Sequence, residues 1–172
     1  MLRPILAAVA LALIAQTAAA LSPLKPDLSG LGFLVGHWSG GRGQLADTGG
    51  SSTGSSVIEP AAGGAALLRR DHTDLFDASG KPAGGFDQIM LIYPEGGAIH
   101  ADYLDGSHVI HYTSATIAPG KSVAFTSGGP GPTFRLIYTL TDPATLNVAF
   151  SMAAPGGGDF HAIATGTITR VP

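Results

Sequence analysis

The segment "HADYLDGSHVIHY", residues 100–112, decides the fold of this chain because it reads as two β-strands joined by a tight turn. Apolar and polar residues alternate on both sides of an Asp-Gly dipeptide, which is a strong signal for a two-residue hairpin turn. The segment also holds three of the chain's six histidines, with two aspartates and two tyrosines. It therefore predicts an antiparallel β-hairpin that carries much of the chemistry available to this protein.

The same pattern extends in both directions along the chain. Short runs rich in Val, Ile, Thr and Tyr alternate with turn sequences such as "ASGKPAGG", "PEGG", "APGK" and "GGPGP". The exception is one short helix, predicted over "LSGLGFL" with Asp27 or Ser29 as its cap. The segment 47–56, "DTGGSSTGSS", is predicted to be a long turn. Strands are predicted near residues 36–44, 54–60, 65–73, 86–93, 98–104, 107–117, 121–127, 133–141, 145–152 and 159–171.

The connections between these strands decide between two architectures. About ten antiparallel strands in one domain form either a sandwich of two sheets or an up-and-down barrel. Because the connections are short hairpins, a meander closed into a barrel is favoured, and closure also leaves no unpaired edge strand. The sequence therefore predicts an all-β fold, a single antiparallel up-and-down β-barrel of about ten strands with a short N-terminal helix. Such a barrel is wide enough to hold a small ligand.

The first residues have the organisation of a secretory signal peptide. One basic residue, Arg3, precedes an apolar run and a stretch of small residues in which Ala18 and Ala20 form an A-x-A cleavage site. Residues 1–20 are therefore predicted to be a signal peptide, and residues 21–172 a secreted or periplasmic barrel domain with no membrane insertion after cleavage. The alternative is an N-terminal membrane anchor, for which the apolar run is short.

Composition narrows the classes of function. The chain has no cysteine, which excludes disulfides, thiol nucleophiles, thiolate metal sites and a lipid-modified cysteine. Removal of the predicted signal peptide takes away only Arg3 among the charged residues, so the net charge changes from −3 to −4. A mildly acidic domain without a basic stripe is poorly suited to neutralise phosphates, so nucleic acid is not an expected partner.

A second informative segment is "FLVGHWSGGRG", residues 33–43, in which a short helical lead-in precedes Gly-x-Trp on the first strand. This segment resembles the opening of calycin barrels, which include lipocalins, fatty-acid-binding proteins and nitrobindin-like barrels. In those families the tryptophan closes one end of the barrel and an arginine of the last strand packs over it. The resemblance assigns these positions to Trp38 and Arg170. Nitrobindins bind haem through a late histidine, for which His161 is the candidate, although a regular strand turns its side chain outward.

Alternation along the strands around the opening segment defines two faces of the sheet. The more apolar face, which contains Met90 and Ile110, is predicted to line the barrel. Its polar members are candidate ligand contacts: Gln88, Tyr103, His108 and Tyr112. Arg135, in the later strand "TFRLIYTL", is a further candidate, because an inward-facing arginine can hold a ligand carboxylate. The alternative is a filled interior in which Tyr103 and His108 bond to each other.

The opposite face carries a second group of reactive side chains. With a two-residue turn, His100 lies across from His111, and Asp102 lies next to His100 on the same face. Two histidines and an aspartate suit zinc, and an Asp–His pair can act as a general base. The alternative is a solvated outer surface on which histidines have no special role.

Three functions are left open by the sequence. The favoured one is a secreted or periplasmic barrel that binds a small apolar or amphipathic ligand in its interior. The second is an enzyme or metal site on residues 98–113, built from His100, Asp102 and His111. The third is a non-catalytic envelope protein whose barrel is filled by its own side chains. No cofactor is expected, with haem through His161 or zinc through His100 and His111 as the alternatives.

Overall fold

A computed structural model describes residues 22–172 of the chain. The predicted signal peptide, residues 1–20, lies outside the described residues. Two 3-10 helices occur in the described range, at Pro26–Leu34 and Ala62–Gly64. Neither has the length or the apolar surface that a bilayer span requires.

Ten antiparallel strands form a closed barrel. Each strand pairs with its neighbours in the sequence, and the first strand pairs with the last. The predicted all-β up-and-down barrel is therefore confirmed. The strands are β1 (Gly36–Leu45), β2 (Ser51–Ala61), β3 (Ala66–Phe76), β4 (Pro82–Glu95), β5 (Ala98–Leu104), β6 (Val109–Ala118), β7 (Ser122–Ser127), β8 (Thr133–Asp142), β9 (Thr145–Ala153) and β10 (His161–Val171).

The predicted long turn at 47–56 is wrong in its second half, because β2 begins at Ser51. Residues 51–56 pair with β3 along their whole length and with β1 along most of it. Small side chains permit this close pairing, since a Cβ at Gly54 would collide with the backbone carbonyl of His72. The low-complexity composition resembles a loop, but neighbouring strands on both sides satisfy its backbone hydrogen bonds.

The register of the opening hairpin differs from the prediction by two residues. Tyr103 pairs with Ile110, and Asp102 pairs with His111. The turn is longer than two residues because one oxygen of Asp105 accepts the backbone N–H groups of Ser107 and His108, at 3.0 and 2.7 Å. A shift of two residues keeps every side chain on its own face, so the predicted division into faces survives.

Burial confirms which of the two faces lines the barrel. Met90 and Ala101, on the more apolar face, are completely buried. Ile89, Leu91 and Val109, on the other face, are exposed apolar residues. The alternation of β4, β5 and β6 therefore predicts correctly which face lines the barrel.

One end of the barrel is closed by the helix Pro26–Leu34. Its leucines Leu28, Leu31 and Leu34 have no exposed surface and belong to the apolar core. The helix has no side-chain cap at its start; Pro26 occupies the first turn and the Ser29 hydroxyl donates to the Pro26 carbonyl instead. The predicted caps Asp27 and Ser29 are therefore wrong, because both lie inside the helix.

Trp38 and Arg170 hold the closed end together. The Trp38 indole is 1% exposed and donates to the Leu34 carbonyl at 2.8 Å. The Arg170 guanidinium lies 4.2 Å from the centre of the Trp38 ring and donates to the carbonyls of Val35 and Phe33. Arg170 thus ties the last strand to the end of the helix, and the opposite end of the barrel is free to admit a ligand.

Candidate functional site

A cavity of about 840 Å³ occupies the barrel and opens at the end opposite the helix. Its mouth is formed by the β1–β2 and β5–β6 loops, through residues such as Asp47 and Ser107. Cavities of roughly 300–1,000 Å³ commonly hold small molecules. The interior is therefore large enough for a ligand, which counts against a barrel filled by its own side chains.

The cavity has an apolar side and a polar side. Strands β8, β9 and β10 contribute mainly apolar residues: Phe134, Leu136, Val148, Phe150, Ile163 and Ile168. Strands β2, β3 and β4, which lie across the barrel, contribute mainly polar residues: Ser52, Ser56, Arg69, Asp71, Thr73 and Gln88. A molecule in this cavity is in contact with both kinds of surface.

The polar side is centred on an ion pair between Arg69 and Asp71. Arg69 is only 8% exposed, and its Nε lies 2.6 Å from Asp71 Oδ2. Arg69 also donates to Gln88 Oε1 at 3.3 Å and lies 5.8 Å from the centre of the Tyr138 ring. Burial by itself lowers the pKa of Arg69, but the charge of Asp71 and its hydrogen bond more than offset this and raise it. Arg69 is therefore a permanent cation whose charge is already neutralised.

Three tyrosines surround this ion pair. Burial raises the pKa of Tyr138 to about 12, and burial also raises the pKa values of Tyr103 and Tyr112. The Tyr103 hydroxyl donates to Asp105 Oδ2 at 3.0 Å, which fixes the mouth loop to the wall. The tyrosines are consequently neutral hydrogen-bonding groups at any physiological pH.

Part of the hydrogen-bonding capacity of the cavity lining is unused. Within residues 22–172, three buried atoms of lining side chains have no hydrogen-bond partner: Ser56 Oγ, Asp71 Oδ1 and the Tyr138 hydroxyl. An unpaired buried polar atom destabilises a protein by about 1–3 kcal/mol. Such atoms mark a place where a bound polar group would stabilise the structure.

The structure brings together four of the predicted ligand contacts. Gln88, Tyr103 and Tyr112 line the interior of the cavity, and His108 lines it at the mouth. Gln88 is held on both sides, because its Nε2 donates to Thr73 Oγ1 at 2.7 Å while its Oε1 accepts from Arg69. Gln88 is therefore presented to the interior in a fixed position.

The predicted position of Arg135 is wrong, and His108 lines the cavity from a loop instead of from a strand. His108 belongs to the four-residue loop at the mouth, where its side chain is 73% exposed and its Nδ1 lies 3.2 Å from Asp105 Oδ1. Arg135 points out of the barrel, because the even-numbered residues of β8 face inward, and its guanidinium stacks on Phe160 at 3.8 Å. His108 is a rim residue, and Arg135 has no access to the cavity.

The predicted pairing of His100 with His111 on the outer face is also wrong. His111 Nδ1 lies 2.6 Å from Asp102 Oδ1, and the Tyr93 hydroxyl donates to the other Asp102 oxygen at 3.0 Å. His100 lies opposite Tyr93 instead and stacks on its ring. The cause is the two-residue shift in register. Within the described residues, no three His, Asp or Glu side chains are close enough to hold a metal ion.

His161 lies at the start of β10 and is exposed, outside the set of residues that line the cavity. The pairing of β10 with β9 contains a bulge between Ala162 and Ala164. The haem alternative therefore has no interior histidine on β10 to support it.

Arg69 and Asp71 are the main residues that the sequence analysis missed. They lie in "ALLRRDHTDLF", where alternation places them on the same face as the buried Leu67. That alternation could have identified both side chains as facing inward. It was overlooked because arginine and aspartate in a polar run usually face solvent.

The tyrosines lead to a first prediction, which concerns alkaline pH. All four tyrosines have pKa values above the ordinary value of 10. An unfolded chain loses these protons near pH 10 while the folded barrel keeps them, so the stability of the fold decreases as pH rises above 10. A titration of phenolate absorbance, followed in parallel by circular dichroism, should show that the tyrosines ionise above pH 10 and that the barrel unfolds as they do. Complete ionisation near pH 10 with an unchanged β-spectrum would contradict this.

The fold of this chain is similar to that of solved structures of other proteins. The crystal structure of Rv2717c from M. tuberculosis is similar with a TM-score of 0.59 and 16% identity, covering 87% of this chain and 99% of the other. The S-type phycobiliprotein lyase CpeS from Guillardia theta is similar with a TM-score of 0.52 and 10% identity, covering 81% and 89%. At these identities the likenesses show the fold alone, an antiparallel β-barrel. No protein-family model and no curated protein matches the chain.

Proposed function

We propose that this protein, exported and cleaved before Leu21, binds one small amphipathic molecule inside its barrel in the manner of a lipocalin-like carrier. The observation that carries the proposal is the open cavity of about 840 Å³ with one apolar and one polar side. Such a lining favours a ligand that has both an apolar body and a polar group, because each then meets a matching surface. The similarity of fold adds nothing about the ligand, since one fold serves many functions.

Different residues of this chain bind the apolar body and the polar group of the ligand. Phe134, Val148 and Phe150 remove the apolar body from water, which is the main source of affinity. The cluster around Arg69 and Asp71 receives the polar group. The bond from Tyr103 to Asp105 holds one wall of the mouth, so that the ligand enters a site that is already formed.

A dye-binding experiment tests the proposal. Nile red, a neutral dye that fluoresces in apolar surroundings, is titrated into protein purified from the periplasm of an expression host. We expect a dissociation constant on the order of 10 μM, from about 0.3 kcal/mol per ligand atom. Native mass spectrometry of the same preparation shows whether a ligand is retained and whether the chain begins at Leu21. A folded protein that binds neither dye nor any retained molecule would contradict the proposal.

A further inference from the structure

We propose that the polar end of the ligand is uncharged, an alcohol or a primary amide, and that fatty-acid anions are poor ligands. This inference rests on the proposed function, because it names the chemical class that the same cavity takes. It is carried by the charges of the cavity lining and by the unused hydrogen-bonding atoms beside Arg69.

The first observation is the balance of charge inside the cavity. Among the described lining residues, Arg69 is the one lysine or arginine, whereas three carboxylates are present: Asp47, Asp71 and Asp105. The guanidinium of Arg69 is already engaged by Asp71 and Gln88. A ligand carboxylate therefore finds no free cation, and a buried carboxylate without a partner is strongly destabilising.

The second observation concerns the mouth. The loops at the open end carry four aspartates, Asp47, Asp77, Asp105 and Asp159, against a single lysine, Lys81. Partial burial by itself raises the pKa of Asp105, but the N–H groups of its own loop more than offset this and lower it, so that it stays ionised. An anion that approaches the cavity is thus repelled before it enters.

A cationic ligand meets a different obstacle. The ion pair of Arg69 and Asp71 leaves the deep polar side with no net charge. A ligand ammonium placed there would lie close to the guanidinium and would share a carboxylate that is already used. A second buried cation beside Arg69 would therefore be uncompensated.

An uncharged head group can use the unpaired hydrogen-bonding atoms without adding a charge to the cavity. Asp71 Oδ1 can accept a hydrogen bond, and the hydroxyls of Tyr138 and Ser56 can each donate one. A ligand hydroxyl both donates and accepts, so it can pair with the carboxylate and with a tyrosine at once. Because the three atoms are buried, this pairing requires small rotations of neighbouring side chains.

The test is a competition between three ten-carbon molecules that differ only in their head groups. Decanol, decanoate and decylammonium are titrated at neutral pH against Nile red bound to the wild-type protein. We expect decanol to displace the dye at a concentration about tenfold lower than either ion, which corresponds to about 1.4 kcal/mol. Equal or better displacement by decanoate or decylammonium overturns the inference and leaves the proposed function intact. Bound dye that none of the three displaces overturns it as well, whereas failure of the dye to bind rejects the proposed function.

Two variants test the role of charge beside Arg69. Asp71→Asn removes the carboxylate and frees the charge of Arg69, so decanoate should gain more than about tenfold and overtake decanol. Asp142→Asn is the matched control, because it makes the same substitution at an exposed aspartate of β8 that does not line the cavity. It should keep the wild-type order of the three molecules. An unchanged order in folded Asp71→Asn would contradict the role of charge, and the wild-type competition decides the inference if that variant does not fold.

Discussion

Replacing Val148 with tryptophan is expected to weaken Nile red binding by about 100-fold while the barrel stays folded. Val148 lies on the inner side of β9 and lines the cavity. Its cross-strand neighbour in β10 is Gly166, which has no side chain, so a large ring has room to extend into the cavity. The indole then occupies the space that the ligand needs. The measurement is a fluorescence titration, with circular dichroism to show that the β-structure is retained.

Ile89→Trp is the matched control for this experiment. Ile89 lies on the outer side of β4 and is 47% exposed, so the same ring placed there points into solvent. The control should bind the dye as the wild type does. If Val148→Trp also binds with unchanged affinity while its β-structure is intact, the dye does not lie in the barrel and the proposed site is rejected.

Asp71→Leu is expected to lower the free energy of unfolding by about 3–5 kcal/mol. The substitution removes the carboxylate that neutralises Arg69 and leaves a guanidinium that is 8% exposed without its ionic partner. The hydrogen bond that Arg69 donates to Gln88 cannot replace a full negative charge. Urea denaturation gives the measurement, with the fluorescence of Trp38 as a convenient probe because it is the single tryptophan and is buried.

The double variant Arg69→Met, Asp71→Leu separates the lost partner from the lost side chain. Removing both charges leaves no uncompensated ion, so most of the stability should return. A single variant as stable as the wild type would mean that Arg69 reaches water and is not a buried partner of Asp71. A double variant as unstable as the single one would point to lost packing and not to charge.

Much of the fold could be predicted because the relevant signals are local. Alternation along β4, β5 and β6 identified the face that lines the barrel, and the turn sequences located all ten strands. The resemblance of residues 33–43 to calycin barrels placed Arg170 over Trp38, where the structure also has it. Each of these signals depends on residues close together in the chain or on one recurring motif.

The candidate site was predicted less completely, and the reasons differ from residue to residue. His108 was placed in a strand because the Asp105 side chain, which lengthens the turn, was read only as part of an Asp-Gly signal. Arg135 was a candidate only if its side chain faced inward. The neighbouring Leu136 is buried, so Arg135 faces outward. Gln88, Tyr103 and Tyr112 were placed on the lining because they lie on the face that alternation identified.

The sequence by itself therefore determined the ten strands and the inner face of the barrel, because side chains alternate along a strand whatever it pairs with. Only the tertiary structure decided the register of the hairpins, the open cavity and the buried ion pair of Arg69 with Asp71. Those features depend on closure, which brings β3 within reach of β8 across the barrel. Whether a charged side chain such as Arg69 is buried depends on segments that lie far apart in the chain.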